Sequence, residues 1–208
     1  MIRVVIQTEP ASFDENVRKP GQIFLTSRPN PTGSDWGRHR YWKEASEDLY
    51  NLYGGICAYT GVWFSKAQTS VSVDHFLPKS CYPHLAYEWS NYRLTTQKIN
   101  ETKGDKVGLI DPFEVCSGWF VLDLPSCLIK SGVHLEPPQK ASVDFTIKQL
   151  KLNDDDEHVQ YRCDVILSYV AGEITQRYMW KKYPYIAHEI SRQGMWDDVA
   201  SMFRRPTA

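Results

Sequence analysis

The chain has 208 residues, 42% hydrophobic and 24% charged, which is ordinary for a globular protein and long enough to bury a proper core. Twenty-four basic residues against 25 acidic ones leave a net charge of −1. The general basic surplus of many nucleic-acid binders is therefore missing, and such a role would need locally concentrated cations or a partner that delivers the substrate. No apolar run approaches the roughly 18 residues of a membrane helix, and "MIRVVIQTEP" lacks the pattern of a signal peptide. Five scattered cysteines (Cys57, Cys81, Cys116, Cys127, Cys163) argue against a secreted disulfide scaffold and for a reducing cytosol.

In chain order, "IRVVIQ" reads as a short strand stopped by Pro10, and residues 11–40, rich in Pro, Gly, Ser, Asn and Asp, read as irregular. "YWKEASEDLYNLYGG" predicts a helix with Ala45, Leu49, Leu52 and Tyr53 on one face and Gly54-Gly55 as its stop. "ICAYTGVWFS" suggests a hairpin, and "SVSVDHF" alternates like a strand. A proline-marked loop from Leu77 to about Arg93 follows. "TTQKINETKGDK" then predicts a short helix, capped by Thr95 or Thr96 and ended by Gly104. Between 107 and 147, "VGLIDPF", "GWFVLDLP", "CLIK" and "VDFTIK" read as small strands. From Val159 the pattern turns helical, with Val159, Cys163, Ile166 and Val170 on one face and Trp196, Val199, Met202 and Phe203 on another. The acidic run "NDDDE" at 153–157 reads as a solvated helix start.

Chemistry concentrates in the middle. Asp74 and His75 end a strand, and Asn100 and Lys103 share one side of a short helix. A carboxylate and an amide oxygen are hard ligands suited to Mg²⁺. A histidine beside such a site can act as general base on water, and Lys103 could face the phosphate. One obstacle is geometric: neighbours on a regular strand point to opposite faces. Asp74 and His75 can serve one site only by flanking the substrate or by a bend of the strand.

"VDHFLPKS", "WSNYRL" and "QKINETKGDK" together resemble the HNH nuclease motif, the ββα-metal fold, with Asp74, His75, Pro78, Asn91, Asn100, Lys103 and Gly104 in order. The resemblance implies that His75 is the general base and that Asp74 and Asn100 hold Mg²⁺ or Mn²⁺. It implies further that Asn91 holds the loop and orients the histidine, that Lys103 assists phosphate binding, and that the products are a 5′-phosphate and a 3′-hydroxyl. "CAYTG", "LIDPF", "GWF" and "TIKQLKLND" more softly resemble the subgroup of PtuB-type nucleases of Septu and retron-associated antiphage systems, which work with a PtuA-type ATPase. Many HNH proteins carry a structural zinc on two CxxC-like pairs. The matching positions here are Cys57, Thr60, Thr96 and Ile99, so no structural zinc is expected.

Rival uses of the same residues are a tetrahedral zinc on Cys57, His75, Cys81 and His84 and a cysteine-protease order of Cys57, His75 and Asn91. A third alternative is a non-catalytic HNH-like binding subunit. "WGRHRYWK" (36–43) interleaves cations with aromatics, which suits either phosphate tracking with base stacking or a helix start whose aromatics enter the core. Arg93, Lys98, Lys103 and Lys106 around the motif, and "WKKYPY", supply further cations. The helical tail is a candidate partner surface or simple coverage of the sheet.

The expectation is one α+β domain over 1–208. It has a ββα-metal core at about 57–106, an N-terminal arm, additional short strands and C-terminal helices from about 158. The expected function is a cytoplasmic, metal-dependent endonuclease, the nuclease subunit of an antiphage complex with an ATPase. Duplex DNA is the first-choice substrate and structured RNA such as tRNA the second, because a water-and-metal mechanism does not need the 2′-hydroxyl.

Overall fold

A computed structural model describes residues 1–154 and 156–203. The architecture is mixed α+β, with α-helices and two separate two-stranded antiparallel sheets. The chain divides into two compact units, one of Val5–Ala58 with Phe64–Val107, the other of Met1–Val4, Tyr59–Trp63 and Gly108–Ala208. Each is described by itself.

The first unit opens without the strand expected at 1–10. That segment has no regular structure and is tied by side chains: Tyr53 Oη accepts from Gln7 N at 3.2 Å, and Trp89 Nε1 donates to Gln7 O at 2.8 Å. Residues 11–40, expected to be irregular, carry a π-helical turn (Asp14–Arg18), α1 (Lys19–Ser27) and α2 (Gly33–Arg38). Composition misleads here for local reasons. Pro20 is the second residue of α1, into which the π-helical turn runs without a break, so its missing N–H falls where the helical hydrogen-bond spacing changes. Gly21 is where the helix meets the Tyr87 ring, since a Cβ there would lie 2.1 Å from that ring. Thr32 and Asp35 close a capping box over α2.

The helix expected from "YWKEASEDLYNLYGG" forms as a 3₁₀ segment (Tyr41–Ala45) running into α3 (Ser46–Leu52). Gly54 and Gly55 end it at φ +62° and +68°. Ala45 and Leu49 are buried as expected, but Leu52 is exposed. The hairpin expected at 56–65 is absent; turns with isolated bridge residues at Ile56 and Trp63 take its place. Strand β1 (Val71–His75) then pairs antiparallel with β2 (Tyr92–Thr96), with His75 opposite Tyr92 and Asp74 opposite Arg93. Helix α4 (Gln97–Lys103) follows at once. Thr96 Oγ1 accepts from Ile99 N at 3.4 Å, and Gly104 ends the helix at φ +52°.

In the second unit, two of the four expected strands form: β3 (Phe120–Asp123) and β4 (Leu128–Ser131), paired antiparallel. "VGLIDPF" is irregular, and "VDFTIK" lies in a helix, α5 (Pro137–Gln149). The β-branched residues suggested a strand. Yet Val143, Thr146 and Ile147 are spaced i, i+3, i+4 and form the buried helical face, and two prolines open the first turn. Thr146 Oγ1 also accepts from Ile110 N at 2.9 Å, tying this helix to the irregular "VGLIDPF" segment.

Helices α6 (Asp156–Val170), α7 (Gln176–Lys182), α8 (Pro184–Arg192) and α9 (Val199–Met202) bear out the helical tail. Ile166 and Val199 are buried, whereas Met202 is exposed. Of the acidic run, Asp155 lies outside the described residues, and Asn153 is not merely solvated: its side chain pairs both backbone groups of Ile129, at 2.8 and 2.7 Å. Cysteine number and spacing gave no sign of a disulfide, but Cys127 and Cys163 are joined, tying the turn before β4 to α6. No helix among the described residues is long and apolar enough to cross a membrane.

Candidate active site

Six consecutive residues of one segment, Ser70 to His75, line a cavity of about 910 Å³ in the first unit. A two-stranded sheet explains this. Strand β1 has a strand partner on one side only, so its outer edge is left to border the cavity. The opposite-face obstacle is met by flanking rather than by a bend, since the β1–β2 register runs unbroken through His75. Asp74 and Ser72 meet α4, while His75 turns to the aromatic side, and both reach the cavity.

The Asp74 carboxylate is 2% exposed and receives the Lys103 ammonium at 2.9 Å. Lys103 is 0% exposed, and it also donates to the backbone carbonyl of His75 at 2.8 Å. The expectation put Lys103 against a phosphate. In the structure it does not line the cavity; its charge lies beneath Asp74 and at the strand end. The reason is helix geometry: the last turn of α4 packs on β1, so the side chain at that position points into the strand.

His75 is held on three sides. Its Nε2 lies 2.9 Å from Ala86 O. A carbonyl only accepts, so Nε2 carries the proton and Nδ1 carries the lone pair. Trp42 and Tyr92 meet the ring edge-to-face at 5.0 and 5.3 Å. Burial, and secondarily the nearby Lys79 ammonium, push its pKa down from 6.5 to about 3, so the ring is neutral at physiological pH.

Asn91 binds the loop between the strands. Its Oδ1 accepts from Leu77 N at 2.8 Å, and its Nδ2 donates to Leu77 O at 3.0 Å and Leu85 O at 3.1 Å. It does not line the cavity. Leu85 precedes Ala86, whose carbonyl positions His75, so Asn91 fixes the histidine through two links of loop. Asn100 lines the cavity, and its Nδ2 donates to Ser72 Oγ at 2.7 Å and Val73 O at 3.4 Å. With the amide nitrogen committed to β1, its oxygen is the atom left to present elsewhere.

Asp74 and Asn100 on one cavity supply a carboxylate and an amide oxygen, a donor set that fits a hard divalent cation completed by water and substrate. The rival zinc quartet does not assemble: no group of three or more His, Cys, Asp and Glu is gathered among the described residues. Cys57 is buried with its Sγ 3.4 Å from Thr95 Oγ1, Thr96 caps α4, and Ile99 is core. Cys57 does not line the cavity with His75, which leaves the protease order without its nucleophile.

The cations near the site are not those that sequence proximity suggested. Arg93 is buried, donating to Ser90 O and Tyr92 O, with its guanidinium 5.0 Å from the Phe76 ring. Arg40, Lys43 and Lys79 line the cavity instead. Of the stretch "WGRHRYWK", the tryptophans are buried, as the core reading has it, and two of the basic residues, Arg40 and Lys43, line the cavity. Lys79 went unnoticed in the sequence. The one available signal was its place directly after Pro78, where β1 has already given way to the loop.

Comparison with known proteins gives one distant likeness. The chain is 27% identical over 166 residues to the Septu protein PtuB of Bacillus thuringiensis, a match that covers 78% of this chain. It spans 58% of that relative's length. No family model matches the chain.

Proposed function

We propose that the chain is a metal-dependent HNH endonuclease that hydrolyses phosphodiester bonds, with duplex DNA as the favoured substrate. One observation carries the reading: Asp74, His75 and Asn100, from a strand–strand–helix unit, converge on one cavity, and the histidine's tautomer is set by a backbone carbonyl. In this reading β1, β2 and α4 are the ββα-metal core. Asp74 and Asn100 hold Mg²⁺ or Mn²⁺, which when bound stabilises charge on the phosphate and the leaving oxygen. His75 Nδ1 takes a proton from the water whose oxygen bonds to phosphorus, the bond from phosphorus to the 3′-oxygen breaks, and the leaving 3′-oxygen takes a proton from solvent water, giving a 5′-phosphate and a 3′-hydroxyl. Burial is the larger cause of the ring's lowered basicity and the Lys79 ammonium the smaller, so an anionic substrate in the cavity offsets only the smaller one. Lys103 acts as a positioning residue: it holds the Asp74 carboxylate in place and anchors the strand end at His75. Asn91 positions the loop.

The likeness to a Septu protein PtuB supports a place in a Septu-type antiphage system; in this reading the chain is the nuclease subunit, works beside a PtuA-type ATPase and acts in the cytoplasm. Cys57, Thr60, Thr96 and Ile99 carry no structural zinc in this reading, ordinary packing serving in its stead.

The test is direct. Purified protein, with and without the ATPase encoded beside it, is incubated with supercoiled plasmid and with total RNA in Mg²⁺ or Mn²⁺. Nicking of plasmid that disappears in His75→Ala is the expected result, with a loss of about 10²–10⁴-fold for a removed general base. Cleavage of RNA alone would transfer the reading to structured RNA. Absence of cleavage of either polymer by the complete complex would leave a binding subunit.

A further inference from the structure

We propose that Lys79 is the cation that receives the substrate's phosphate, with Arg40 and Lys43 extending the same cavity wall, so that the polymer is gripped by its backbone rather than by its bases. The proposal rests on the nuclease reading above and names the substrate contact at that site.

Arg40, Lys43 and Lys79 come from different parts of the chain, the first two from the segment between α2 and α3 and the third from the loop after β1. None of the three makes an ion pair with a described residue, whereas Lys103 pairs with Asp74. Lys79 is half-buried, with its ammonium 5.3 Å from the centre of the Trp42 ring. The same ring meets His75 at 5.0 Å. Trp42 therefore sets the cation and the base relative to each other. The fields of Asp105 and Asp74 reach Lys79, but from beyond ion-pair distance.

A desolvated ammonium without a carboxylate is costly. A cation–π contact returns only about 0.5–2 kcal/mol. A phosphate oxygen entering the cavity supplies the charge-assisted hydrogen bond that the fold leaves out. The bases find no such reception. Trp36 and Trp42, the two tryptophans of the basic stretch, border the cavity but are only 6% and 9% exposed and pack edge-to-face at 6.2 Å, so neither offers an open face for stacking. Contacts to phosphate position a polymer without reading its sequence.

The experiment measures binding of a labelled mixed-sequence DNA duplex, and of single-stranded RNA of equal length, across a KCl series. The full-length chain is used in the His75→Ala background to prevent turnover; cleavage rates are measured with His75 intact. Lys79→Ala should weaken binding about 10-fold on unrelated sequences alike and reduce the slope of log K against log[salt] by about one. Lys79→Arg should recover most of both. Lys79→Met, with melting curves beside it, separates lost charge from lost fold. An unchanged salt slope and affinity in folded Lys79→Ala and Lys79→Met overturns the proposal, as does a loss confined to particular base sequences. If His75-dependent cleavage persists while Lys79→Ala is indifferent, the assignment of Lys79 fails and the nuclease reading stands. If the wild-type complex neither cleaves nor binds either polymer, both fail.

Discussion

Asp74 and Lys103 show how one residue's environment changes its role. Both are buried, and each is the other's charge partner at 2.9 Å. Lys103→Met removes the ammonium that the buried Asp74 carboxylate meets at 2.9 Å, so it should destabilise the protein by about 3–5 kcal/mol. Asp74→Asn combined with Lys103→Met should recover a large part of that loss in urea unfolding, because the carboxylate that lost its ammonium is then neutral. Equal loss in the single and double variants would show that packing, not charge, dominates. In activity, Lys103→Met should lower the turnover rate more than it raises KM, since it acts through Asp74 and the strand end rather than on substrate. At this scale the sequence was partly legible. The identities and spacing of Asp74, His75, Asn91, Asn100 and Lys103 singled out a site, and all five meet on or directly behind β1, in the loop it feeds, or on α4. Which of them face the cavity was not legible, because spacing on a helix fixes a side and not what covers that side.

At the scale of elements, short helices depend on their ends. Thr96 caps α4 and at the same time closes β2, so Thr96→Ala should cost about 1 kcal/mol and loosen the helix that carries Asn100. Hydrogen exchange of the α4 amides would report it; unchanged protection would mean that packing on β1 alone holds the helix. Asn91 joins the two ends of the inter-strand loop with three hydrogen bonds. Asn91→Ala should make residues 77–85 protease-sensitive and cut the cleavage rate while the strands stay paired. Gly21 carries a different constraint. A Cβ would meet the Tyr87 ring at 2.1 Å, so Gly21→Ala should cost about 1–3 kcal/mol by overpacking, seen as a lowered Tm. The cap at Thr96, the stops at Gly54-Gly55 and Gly104, and strand β1 were readable because each is decided within a few residues. The segment 11–40 and "VDFTIK" were misread because tertiary packing overrode composition: a helix carried Pro20 where its π-helical turn gives way to α1, and β-branched residues formed a buried helical face.

At the scale of the whole molecule, the near-zero net charge and the proposed grip on phosphate are compatible because few cations reach the cavity. Weak intrinsic affinity is the consequence, and a partner in the complex would supply the rest. Chelation by EDTA should abolish cleavage without lowering the Tm, since the proposed metal bridges residues that are already held by protein hydrogen bonds. Restoration by Mg²⁺ or Mn²⁺ should follow. A purified protein that holds one tight zinc per chain, or unfolds on chelation, would contradict that picture. By itself the sequence determined the mixed α+β class, the strand, loop and helix around the site and the helical tail, because hydrophobic period, caps and turn residues act over a few neighbours; strand β2, which pairs with β1, was read as the end of the loop and the start of the helix. Only the tertiary structure decided that Lys103 lies buried beneath Asp74 while Lys79, Arg40 and Lys43 face the cavity. It alone joined Cys127 to Cys163 and divided the chain into two compact units. Burial and charge pairing depend on residues distant in the chain, and no local pattern encodes which distant neighbour arrives.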